Sequence, residues 1–147
     1  ESFVDGPELS VTLLSGRALP AVAIDWWDDD VAPHDRVLGF VAKHDPDSGP
    51  EWGIQEPPPL PADEVAAAEA LAGAAWAAVS GPQGPRGLGR VDLRRGPTGW
   101  VVLDVNPAPA FQPTLLRADQ GLVATALRAG GVSYLELVRR LLAEAVP

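Results

Sequence analysis

Residues Gly89 to Asn106 constrain the fold more than any other stretch. Gly89-Arg90-Val91-Asp92-Leu93-Arg94 and Trp100-Val101-Val102-Leu103-Asp104-Val105-Asn106 both alternate with period two, and Gly96-Pro97-Thr98-Gly99 between them is turn chemistry. The pattern predicts a β-hairpin. Reading Pro97-Thr98-Gly99 as a three-residue loop, with Gly99 supplying a positive φ, sets Asp92 opposite Asp104 and Arg90 opposite Asn106. Val91, Leu93, Val101, Leu103 and Val105 then face a core. Like charges directly opposite each other destabilise a sheet, so two facing Asp with an Asn beside them suggest a neutralising cation. Oxygen-only ligands favour a hard ion such as magnesium. A solvated face carrying ordinary charges explains the same pattern, and the hairpin by itself leaves both open.

Composition removes several alternatives. The 147 residues suffice for one domain with its own core, and at 46% hydrophobic and 21% charged they have a globular balance. A formal net charge of -9 argues against nucleic acid and anionic membranes as partners. The absence of Cys excludes disulfides, thiolate metal sites and a Cys nucleophile. No apolar run reaches membrane-spanning length and no signal peptide is visible. The basic residues are ten Arg and one Lys, Lys43, which singles that lysine out. The chain begins at Glu1 without Met, and a longer protein is the expectation.

Around the hairpin the elements alternate in type. Glu1 to Val4 reads as extended, and Asp5-Gly6-Pro7 as a turn. Glu8 to Leu14 alternates as a strand and turns at Ser15-Gly16 into a partner, Leu19 to Ile24. Asp25 to Pro61 is irregular, with both His, Lys43 and an Asp28-Asp29-Asp30 run that is read as a solvated face. Pro61 at N1 starts a helix to about Val79, with Val65, Leu71-Ala72, Ala75-Trp76 and Val79 as its buried stripe. A second helix spans about Thr114 to Arg128. The last opens with Ser133 and Glu136 as a capping box and Val132 with Leu137 as a staple, and Leu135, Val138, Leu142 and Ala145 form its stripe. Helices segregated onto an antiparallel sheet make an α+β layered domain.

These residues resemble the C-terminal half of an ATP-grasp ligase, and most closely the D-alanine–D-alanine ligase family. Gly6-Pro7-Glu8-Leu9-Ser10 after Glu1-Ser2-Phe3-Val4 resembles the hinge strand and the following "GxE" strand. Ala42-Lys43-His44 falls where the family has Ala-Lys-Tyr, and Pro59-Leu60-Pro61 where it has "P-x-LP". Gly89-Arg90-Val91-Asp92 resembles its "G-(R)-x-D" strand, Asp104-Val105-Asn106 its Glu-x-Asn, and Val132 to Leu137 the start of its last helix. The chain departs from the pattern at Asn106-Pro107-Ala108-Pro109-Ala110, where the family has Asn-Thr-x-Pro-Gly, and at Leu115, where it has Ser.

The resemblance implies the large C-terminal subdomain of an ATP-grasp domain over residues 1–147, the N-terminal domain and lid subdomain lying outside it. It implies a cytoplasmic, ATP-dependent carboxylate–amine ligase of peptidoglycan biosynthesis that works through an acyl phosphate. Asp92, Asp104 and Asn106 would hold magnesium, or manganese in its place. Glu1, Ser2 and Val4 would meet the adenine, Glu8 the ribose hydroxyls and Lys43 a phosphate, with Arg90, Lys43 and His44 the catalytic side chains. The substrates would be small amino or hydroxy acids, and a homodimer would use parts outside this chain. These residues alone would be inactive. A ligase for other acids in a biosynthetic pathway and a non-catalytic nucleotide-binding module remain as alternatives.

Overall fold

The computed structural model describes residues 2–27, 30–38, 51–82, 84–111 and 121–145. Among these, six strands form one antiparallel sheet: β1 (Glu8–Leu14), β2 (Arg17–Ala18), β3 (Val22–Trp26), β4 (Trp52–Gln55), β5 (Leu88–Gly96) and β6 (Gly99–Asn106). Their order is β4-β3-β1-β5-β6, with β2 extending the β1 turn. The partner expected over Leu19 to Ile24 is therefore split into β2 and β3. β4, inside the stretch read as irregular, is an additional strand that pairs with β3. Ser2–Val4, read as an extended hinge strand, joins no ladder among the described residues.

Alternation sends the two faces of β1 and β5 to different neighbours. Leu9, Val11, Leu13, Val91 and Leu93 are fully buried on one face, beneath Ala68, Ala72 and Trp76 of α1 (Ala62–Val79). Each such side chain contributes roughly 1.5–3 kcal/mol of burial. Small residues on α1 let it lie close to the sheet, and Trp76 packs over Gly89, where a Cβ would come within 2.6 Å of the indole. Pro61 is the N-cap rather than N1, and Asp63 and Glu64 occupy the first turn as expected. Arg95 grips Glu64 through two hydrogen bonds of 2.8 and 3.0 Å, which holds the Glu64 carboxyl below its ordinary range. Val79, expected in the stripe, is exposed.

The opposite face carries Leu14 and Leu88, packed with Val123 and Leu127 of α2 (Leu122–Ala129) and Leu137 of α3 (Tyr134–Ala145). Helices thus cover both faces. The early part of the helix predicted from Thr114 lies outside the described residues. Ser133 caps α3 as expected, its Oγ accepting from Glu136 N at 3.2 Å. The stripe is rotated, however: Leu137 is buried while Leu135 and Leu142 are exposed. Among the described residues no helix is long and apolar enough to cross a membrane.

Candidate active site

The hairpin builds the site, and its geometry differs from the expected one in an instructive way. Gly96 pairs with Gly99, so the loop is the two-residue Pro97-Thr98. That register would place Asp92 opposite Leu103. A β-bulge between Asp92 and Leu93 inserts Leu103 as an extra residue and restores Asp92 opposite Asp104, Val91 opposite Val105 and Arg90 opposite Asn106. The bulge also changes the inward set. Trp100, Val102 and Val105 pack on the core, while Val101 and Leu103, expected there, are 40% and 46% exposed.

On the face opposite α1, β1 and β5 present Glu8, Ser10, Arg90, Asp92 and Arg94, and β6 adds Asp104. Ser2 and Val4, Glu8, Arg90, Asp92 and Asp104 line one pocket of about 520 Å³. Phe3, Val37 and Leu103 give it an apolar wall, and all three are among the exposed large hydrophobic residues. A concave space of this size with an apolar wall and convergent polar groups fits a small-molecule ligand. Asn106 sits one register further along, opposite Arg90, and its Oδ1 accepts from Ala108 N at 2.9 Å. Glu1, Lys43 and His44 lie outside the described residues.

The carboxylates have unequal partners. Asp92 accepts from Arg90 Nε at 2.9 Å and Nη2 at 2.7 Å, and from Ser10 Oγ at 2.7 Å. Arg90 therefore neutralises part of the charge that suggested a cation. Asp104 makes no such contact among the described residues and faces the pocket. Two opposed carboxylates and an amide oxygen are hard donors suited to magnesium or manganese. No group of three or more His, Asp or Glu that would hold an ion by themselves occurs among the described residues. A phosphate-bearing ligand would have to complete the coordination.

Glu8, weighed in the sequence as a possible solvated strand start, is buried and paired with Arg94 directly across from it on β5. Arg94 is the side chain sequence reasoning missed. Its position two residues past Asp92 puts it on the site face, but its partner lies 86 residues away.

No protein-family model matches the chain. Curated relatives do, along nearly its whole length. The chain is 30% identical over 145 residues to the D-alanine–D-alanine ligase of Idiomarina loihiensis, covering 98% of this chain and 40% of that protein. It is 33% identical over 147 residues to the enzyme of that name from Halorhodospira halophila, covering 99% and 42%. The chain thus spans about two fifths of the length of these relatives. Among solved structures, the D-alanine–D-alanine ligase from Bacillus anthracis complexed with ATP superposes with a TM-score of 0.68 at 17% identity, over 99% of this chain and 40% of that one. The ATP-grasp ligase PsnB complexed with minimal precursor gives 0.53 at 16%, over 99% and 36%. The sheet and its helices have the ATP-grasp fold.

Proposed function

We propose that this chain, homologous to one stretch of the D-alanine–D-alanine ligases and folded as an ATP-grasp ligase is, forms the C-terminal portion of an ATP-grasp domain in an ATP-dependent carboxylate–amine ligase. The observation that carries this is the single pocket shared by Ser2, Val4, Glu8, Arg90, Asp92 and Asp104. Those residues are far apart in sequence, Ser2, Val4 and Glu8 expected at the nucleotide, Arg90 as a catalytic side chain and Asp92 and Asp104 as metal ligands.

In this reading Phe3, Val37 and Leu103 shield the base, and Ser2 and Val4 meet it with backbone groups. Glu8 accepts from the ribose hydroxyls. Asp92, Asp104 and Asn106 hold magnesium or manganese. When bound, the ion neutralises the charge that builds as the γ-phosphoryl passes to a carboxylate. Arg90 leans on Asp92 at rest, and its guanidinium is a fixed donor for the oxyanion formed when an amine attacks the acyl phosphate. Lys43 and His44 act on the phosphate side. The substrates are small amino acids, D-alanine first among them, in the cytoplasm, with peptidoglycan precursors as the destination.

The test is phosphate release by the full-length protein with ATP, magnesium and D-alanine, compared with Asp104→Ala. Release that requires D-alanine and is lost in the variant supports the proposal. Release that persists undiminished in Asp104→Ala, or none with any D-amino acid, sinks it.

A further inference from the structure

The geometry points to Arg94 as a positioning residue that holds Glu8 and the Phe3–Val4 segment in one arrangement, and thereby sets the preference of this site for a ribose over a deoxyribose nucleotide. This rests on the nucleotide reading above.

Arg94 is 5% exposed, a permanent charge in a nearly dry place. Such a group is retained only with partners, and here they come from three separate segments. Its Nη2 donates to Glu8 Oε2 on β1 and, at 2.8 Å, to the Arg36 carbonyl. Its Nη1 reaches the Val4 carbonyl at 3.4 Å. The Phe3 ring lies over the guanidinium, with Cζ 5.0 Å from the ring centroid. Its Nε is buried without a hydrogen-bond partner among the described residues.

The pair forms a wall between two cavities. Phe3, Glu8 and Arg94 line both the 520 Å³ pocket and a neighbouring one of about 310 Å³. The guanidinium fork is itself fixed by its bonds to the Arg36 and Val4 carbonyls, so its Nη2 meets the Glu8 carboxylate from one set direction through a charge-assisted bond. Glu8 is therefore presented to the pocket as an oriented anion, which is what two neighbouring sugar hydroxyls require of an acceptor. The same fork draws in the carbonyl of Val4, next to the ring of Phe3, so base-side and sugar-side walls share one support. A lysine could supply the charge but not the fork.

The sugar is remote from the reacting phosphate. Losing its contacts removes binding common to ground and transition states, which raises KM and spares kcat. The experiment compares ATP with 2′-deoxyATP in the full-length protein, in the parent, Arg94→Met and Arg94→Lys, with folding checked by thermal melting. The parent is expected to favour ATP. In R94M the KM for ATP rises roughly tenfold, the KM for 2′-deoxyATP changes far less, and kcat holds within about twofold. R94K recovers part of the preference. Arg94→Gln fills the same space, retains one donor and carries the same comparison where R94M does not fold. A folded variant that keeps the full ATP preference, or loses both nucleotides equally, overturns the role of Arg94 alone. A parent that turns over neither nucleotide overturns the nucleotide reading and this role with it.

Discussion

Asp92 and Asp104 carry the same charge but keep different company. Asp92 is held by Arg90 and Ser10, whereas Asp104 is exposed and contacts neither. Repulsion across the hairpin is therefore already offset, and removing Asp104 should gain little. Asp104→Ala is expected to shift unfolding free energy by no more than about 0.5 kcal/mol in urea titrations, while abolishing phosphate release in the full-length protein. Asp104→Glu should keep part of that activity. Ser10 behaves oppositely. It is 2% exposed and donates to Asp92, so Ser10→Ala should cost about 1 kcal/mol in the same titration by stripping a donor from a part-buried carboxylate. These residues were legible to different degrees. Asp92, Asp104 and Asn106 stood out because a hairpin is local, although their expected pairing holds only because the bulge offsets a loop one residue shorter than read. Arg94 did not, because its meaning depends on β1 lying beside β5, which no short-range pattern records.

Among the elements, α3 shows where periodicity stops informing. The Ser133 half of its capping box is a contact between neighbours in sequence and formed as read, while the Glu136 carboxylate accepts from Arg140. Its buried face is not local. Leu135, Val138 and Leu142 make one apolar stripe and Leu137, Val138 and Leu141 another, and only the position of Leu14 and Leu88 on the sheet decides between them. Leu137→Ala should cost about 2–5 kcal/mol, and Leu135→Gln with Leu142→Gln about 0.5 kcal/mol or less, by urea unfolding. The far end of α3 is tied down by Glu144, which accepts from Gly87 N at 2.5 Å. The Ser15 hydroxyl and that N–H lower the Glu144 carboxyl from its ordinary 4.5. A carboxyl lowered in the folded state stabilises above its unfolded value and loses that contribution as pH falls through the folded one. Thermal melting should therefore show the parent losing stability below about pH 4.5 more steeply than Glu144→Gln, which starts lower and has no such charge to lose.

For the molecule as a whole, the sheet keeps one dry face under α1 and divides the other between α2, α3 and a wet pocket. An α+β layered domain was readable from alternating strands and capped helices. The double-sided cover was not, since it turns on which face of a strand each helix meets. Residues 1–147 alone are expected to melt cooperatively yet release no phosphate from ATP, because among the described residues the pocket is walled by one sheet face, residues 2–4, residues 37–38 and Leu122 of α2 and stays open elsewhere; turnover by these purified residues would contradict this. The bulge at Leu103 has a consequence for chain length. A one-residue deletion in a strand normally flips every later side chain to the wrong face. Here Leu103 is surplus to the ladder: without it, Val102 still meets Leu93 and Asp104 still meets Asp92. The hairpin should tolerate an in-frame loss of this single codon and keep its melting transition, while the pocket loses an apolar wall and nucleotide affinity falls. Fold and ligand would then answer differently to the same gap in the sequence.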